Sequence, residues 1–149
     1  MKRTSQVSSL KLLQLMAKIP FFEKITQFER APMADFAQMY VASPGEAIIE
    51  KNALDNCFYV LLSGKGLVCV GRESEPVATI KPGDFFGEVG FILDIPRTTW
   101  VFSEGISAVL RIDQMLLDHL DASTRSKVKD QIIIKLAKTV TNFNSKSEP

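Results

Sequence analysis

Between about Met39 and Ile112 the chain is a succession of short β-branched and aromatic runs, interrupted about every eight to twelve residues by Gly, Pro, Asn or Asp. The runs are residues 47–49, 57–62, 67–70, 76–80, 99–102 and 106–112, and the breaks include Ser43-Pro44-Gly45, the 52–56 loop, Ser63-Gly64 and the polar 71–75 hairpin. No strand this short buries a core alone. Many such strands joined by frequent turns close into a barrel or a jelly roll.

Helical periodicity brackets this region. Residues 8–18 place Leu10, Leu13, Met16 and Ala17 at helical spacing, and Pro20 stops the helix. Ile19-Pro20-Phe21-Phe22 reads as an apolar elbow plugged into the body, and a second helix is expected within 26–38, broken or started near Pro32. Helical spacing returns from Asp113 to about Asn142. There Val128, Ile132, Leu136, Val140 and Phe143 form a stripe expected to dock, with Ile133 at its margin and Ile134 on the opposite, Lys-rich side. The tail from Asn144 is polar and expected to fray. With 149 residues and no internal repeat, residues 1–149 are expected to form one domain.

Composition narrows the function more than the fold. A net charge of +1, from 18 Lys plus Arg against 17 Asp plus Glu, argues against a surface built for nucleic acid or acidic membrane. No apolar run reaches the roughly 20 residues of a membrane helix, and the basic N-terminus leads into an amphipathic stretch, so the expected location is cytoplasmic. Cys57 and Cys69 stand in strand-like runs and are expected to be buried, reduced thiols. The one histidine, His119, cannot supply a metal set, and in its helical stretch it reads as a surface or helix-end residue. A binding module is therefore favoured over an enzyme.

The segment 81–101 carries the chemistry. Gly87 and Gly90 flank Glu88 and allow close backbone approach, and the stretch from Gly87 to Asp94 has room for one or two helical turns. The start of such a helix presents unpaired N–H groups to an anion. Arg97 adds a planar fork of donors suited to phosphate, with the hydroxyls of Thr98 and Thr99 beside it. Glu88 would repel that phosphate and suits sugar hydroxyls instead. An acid and a base nine residues apart, folded back by Pro96, can grip a ribose and its phosphate together. They can equally form a structural ion pair across two tight turns, and these residues alone leave both open.

The ordered set of residues 58–64, then 80–88, then Pro96-Arg97-Thr98, resembles the cyclic nucleotide-binding domain family, as found in cyclic-nucleotide-dependent kinases and channels and in the sensor half of the bacterial catabolite activator protein. The match runs from about Ile19 to the final helix. It implies a mainly β fold, a double-stranded β-helix or jelly-roll-like β-roll over about 39–112, with N-terminal helices over 8–38 and C-terminal helices over 113–143. It further implies that Glu88 takes the ribose 2′-hydroxyl and Arg97 the cyclic phosphate, with backbone N–H groups near Gly87, Val89 and Thr98 completing the grip and Phe86 and Thr99 also at the ligand. Val68, Val77 and Ala78 fall where the family lines the pocket with apolar side chains. A lid from the last helix would draw on Thr141, Asn142, Phe143 or Asn144. Thr99 and Gly90 depart from the smaller residue and the Ala or Ser common at those places, and the 52–53 loop lacks a glycine often found there. Thr98 resembles the Thr of guanine-accepting members, which leaves the base open.

The resulting expectation is a stand-alone receptor for cAMP or cGMP that relays occupancy by moving the C-terminal helix. The ligand is cAMP or cGMP, with no cofactor and no metal. The expected partners are that cyclic nucleotide, an unidentified effector protein and a second copy of the chain paired through the C-terminal helix; nucleic acid and membrane are not expected. The rival readings are a nucleotide-free interaction module of the same fold and a transcription regulator lacking its DNA-binding half.

Overall fold

The computed structural model describes residues 1–4 and 8–147. Strand β1 (Lys2–Thr4) precedes α1 (Ser9–Met16), a 3-10 turn (Pro20–Phe22) and α2 (Gln27–Phe36). The strands β2 (Gln38–Ala42), β3 (Ala47–Ile49), β4 (Cys57–Ser63), β5 (Gly66–Cys69), β6 (Ala78–Ile80) and β7 (Phe85–Phe86) follow. Helix α3 (Glu88–Leu93) interrupts them before β8 (Trp100–Ser103) and β9 (Ser107–Asp113), and α4 (Gln114–Asp118) and α5 (Ala122–Ser147) close the chain. The fold is mainly β with flanking helices. One sheet runs β1-β2-β9-β4-β7 and the other β3-β8-β5-β6, with antiparallel pairs in both.

Strand β4 explains why the two halves hold together. Side chains alternate across a strand, so Cys57, Tyr59 and Leu61 enter a core inside the roll with Ile49, Ile80, Phe86, Val101 and Val109. Phe58 and Val60 point the other way, into a second core with Phe21, Phe22, Met33, Leu117, Val128 and Ile132 from the helices. Burial on both faces is why residues 57–62 read as unbroken apolar sequence. The elbow at 19–22 is the expected plug, with Phe21 and Phe22 buried. Cys57 and Cys69 are buried and unbridged. His119 lies exposed at the end of α4, its ring stacked 4.3 Å from that of Phe36.

Four details depart from expectation. Helix α2 runs through Pro32 without a break. Thr26 and Glu29 form a reciprocal capping box, and with the burial of Met33 and Ala34 this outweighs the roughly 3 kcal/mol that an interior proline costs. Strands β1, β2 and β7 were not among the expected runs: three and two residues are too few to show a period, and β2 follows α2 after a single residue with no turn signal. The 67–70 and 76–80 runs are shorter as strands, ending at Cys69 and starting at Ala78. The tail does not fray at Asn144, since α5 continues to Ser147; Glu148 and Pro149 lie outside the described residues.

Glu29 also ties α2 to α5. Its carboxylate accepts from Lys127 Nζ at 2.6 Å and from the Thr124 hydroxyl at 3.1 Å. Lys127 and the Thr26 backbone N–H hold its pKa down, from 4.5 to about 2. A carboxylate with a depressed folded-state pKa stabilises the fold above its ordinary pKa and loses that contribution as pH falls toward the depressed value. Glu29→Gln is therefore expected to melt below the parent at pH 7, with the gap narrowing between pH 4.5 and about 2 in thermal melts. A gap constant across that range would contradict the assignment.

Candidate functional site

The site is built where β7 turns into α3. Gly87 has φ +83°, a left-handed conformation that glycine adopts without strain, and Asp94 closes α3 at φ +52°. As expected, the helix between them has barely two turns. Its first N–H groups have no acceptor within the helix. The backbone of Arg97 is then laid along the 50–55 loop: its N–H donates to Ala53 O and its carbonyl accepts from Asn52 N–H, both at 2.8 Å.

This template turns the Arg97 side chain inward, where it is 4% exposed. Nη1 donates to Gly87 O at 2.6 Å and Nη2 to Cys57 O at 2.5 Å. Nε is buried without a hydrogen-bond partner, and Asp55 Oδ2 lies 4.0 Å from it. Two of five donors thus fix the fork from behind. A Cβ on Gly87 or on Gly90 would stand 3.0 Å from Nη1, so both glycines leave room for the guanidinium. That gives the departure at Gly90 a physical basis.

Glu88 is 6% exposed and does not pair with Arg97, which removes the structural ion pair between them. Its partner is Lys135 on α5, 3.0 Å away. Lys135 Nζ also donates to Phe85 O and sits 4.4 Å from the centroid of the Phe85 ring. Tyr59 stacks on Phe86 at 5.7 Å, and burial, followed by the neighbouring Cys57, raises the pKa of its phenol.

Arg97, Glu88, Lys135, Phe85 and Phe86 face a cavity of about 820 Å³. Of the residues expected to line a site, Phe86, Gly87, Glu88, Val89, Arg97, Thr98 and Thr99 all do, as do Val68 and Ala78. Val77 does not: it is 63% exposed and precedes β6, its N–H donating to Val68 O while its side chain turns to solvent. The apolar wall is completed by Ile49, Ile80, Ile95 and Val101, none of which was among the expected site residues.

The last helix contributes Gln131, Ile134, Lys135, Lys138, Thr139 and Asn142 to the wall. Ile134 lies, as expected, on the Lys-rich side opposite the docked stripe, and that side is the one that borders the cavity. The spacing of these residues by three and four is the signal that could have found them. Of the four lid candidates only Asn142 lines the cavity; the Thr141 hydroxyl donates to Ala137 O on its own helix. The opposite stripe docks through Val128, Ile132 and Leu136, but Val140 and Phe143 are exposed. Among the described residues there is no group of three or more His, Cys, Asp or Glu able to hold a metal, and no helix long and apolar enough to cross a membrane.

Comparison with known proteins places this geometry. The model of the cyclic nucleotide-binding domain matches residues 41–123. A cAMP-dependent protein kinase regulatory subunit from Yarrowia lipolytica is 32% identical over 120 residues, covering 75% of this chain and 32% of that protein. A cGMP-dependent protein kinase from Eimeria tenella is 28% identical over 107 residues, covering 72% of this chain and 10% of that protein. The chain thus spans between a tenth and a third of the length of these curated relatives. A solved structure described as Sp-2Cl-cAMPS bound to PKAR CBD2 superposes with a TM-score of 0.75 at 17% identity, covering 95% of this chain and 93% of the other. At that identity the likeness speaks for the fold.

Proposed function

Because the chain belongs to the cyclic nucleotide-binding domain family, we propose that it is a receptor for cAMP or cGMP that holds its ligand without changing it chemically. The observation that carries this is the buried Arg97 fork, braced on two carbonyls with Nε making no hydrogen bond, on the wall of a cavity that also presents the start of α3. In this reading the cyclic phosphate sits against Arg97 and the amides near Gly87, Val89 and Thr98. Glu88 accepts from the ribose 2′-hydroxyl, and the base lies along the wall that includes Val68, Ala78 and Thr99. One relative is by name cAMP-dependent and another cGMP-dependent, so both ligands belong in the test. Occupancy is relayed through α5 to a separate effector protein, as a shift between two packings of that helix.

Calorimetric titration with each nucleotide is expected to give saturable heat with at least one, at micromolar affinity or better, and chromatography should recover the nucleotide intact. No heat with either, at protein concentrations able to detect micromolar binding, would overturn the proposal and favour a nucleotide-free interaction module. Consumption of the nucleotide would make the protein an enzyme.

A further inference from the structure

We propose that Lys135 is a positioning residue that sets how strictly the site requires a ribose 2′-hydroxyl, by pinning the last helix to the carboxylate that reads it. This rests on the nucleotide reading above. The Glu88 side chain is 8% exposed, and a carboxylate so deeply placed needs a counter-charge. Arg97, close in sequence, does not provide it: it forms no ion pair with Glu88, and the carboxylate beside it is that of Asp55. The counter-charge comes instead from α5: Lys135 Nζ lies 3.0 Å from Glu88 Oε1.

Two further contacts hold that ammonium in place. It donates to Phe85 O and lies over the Phe85 ring, which packs 4.9 Å from the ring of Phe21 in the N-terminal elbow. A half-exposed lysine on a mobile stem would not need three partners on one short segment. With Oε1 occupied, the carboxylate is held in one orientation and Oε2 is left as acceptor for a sugar hydroxyl. The same ammonium offsets the repulsion between Glu88 and a bound phosphate. Ribose recognition and the position of α5 therefore share one atom, Lys135 Nζ.

The test uses Lys135→Met, which keeps the stem and removes the charge, and Lys135→Arg, which keeps the charge. Dissociation constants for cAMP, cGMP and their 2′-deoxy analogues are measured by calorimetry with the parent and both variants. The parent should prefer the ribose form by about tenfold or more, the value of a hydrogen bond to a charged group. In Lys135→Met that preference should fall at least about threefold, on top of a loss shared by the ribose and 2′-deoxy forms as Glu88 is left to repel the phosphate, with Lys135→Arg largely restoring the parent. Binding with an unchanged preference would overturn this role alone. Failure of the parent to bind any of the four would remove the nucleotide reading and this role with it. In the empty protein, hydrogen exchange of amides in 131–144 should quicken in Lys135→Met; unchanged exchange would overturn the pin.

Discussion

Replacing Arg97 with alanine is expected to weaken cyclic-nucleotide binding by about 2 to 4 kcal/mol, or about 30- to 900-fold in dissociation constant. The loss has two parts. The phosphate forfeits a charge-assisted donor, and the cassette forfeits the brace that Nη1 and Nη2 make to Gly87 O and Cys57 O. Those carbonyls then lie buried without that donor, so stability should fall too and binding must be measured where the variant is folded. Arg97→Lys separates the parts: an ammonium keeps the charge but cannot span both carbonyls and a phosphate. It should recover only a fraction of the affinity. Glu88→Gln should cost less than Arg97→Ala, since an amide oxygen still accepts. An unchanged dissociation constant in Arg97→Ala would contradict the assigned role.

The largest effect on folding is expected from Gly64→Ala, at the turn between β4 and β5. Gly64 has φ +92°, and an added Cβ would stand 2.3 Å from Ser107 Oγ, 2.6 Å from Ile106 O and 2.7 Å from Ser107 Cα. Two of those atoms are backbone and cannot swing away. Ser107 is fully buried, with its hydroxyl 2.7 Å from that of Ser103, so the third has little freedom either. Backbone strain of about 1 to 2 kcal/mol and overlap of about 1 to 3 kcal/mol add to a melting temperature lower by about 10 °C. Gly45→Ala supplies the comparison, because Gly45 has φ +79° but nothing within 4 Å of its Cβ. It should show the strain without the overlap. Equal losses in the two variants would refute the steric account.

The strands were legible because β4, β5, β8 and β9 contain strings of β-branched and aromatic residues bounded by turns, and local pattern suffices to read those. The Glu88 and Arg97 pair was legible because both lie in one short segment with glycines beside them. What could not be read is long-range. Nothing local in the 52–55 loop says that it templates Arg97, since the two meet only through backbone bonds between Ala53, Asn52 and Arg97. Lys135 stands 47 positions after Glu88, and its role depends on which face of α5 docks. The docked stripe was identified in its first half. Ile134 stands opposite the docked stripe and is exposed, as expected, but that its side borders the cavity went unread, because an amphipathic pattern marks only the face that meets a core. Val77 was assigned to the pocket by resemblance, together with its neighbour Ala78; β6 begins only at Ala78, and Val77, one residue earlier, turns to solvent.

Helix α5 has its last fully buried residue at Ile132, and from Ala137 to Asn144 every described side chain is exposed. A tilt about Ile132 would make it a lever whose longer arm runs to the C-terminal end of the helix. From Ile132 to Ser147 the arm measures about 22 Å at the rise of an α-helix. A tilt of only about 10° at the fulcrum would carry its far end through about 4 Å, while an atom beside Lys135 moves by less than 1 Å. In the relay proposed above the site would need to rearrange little: a displacement comparable to lengthening one ion pair would grow along the helix to about 4 Å at its far end.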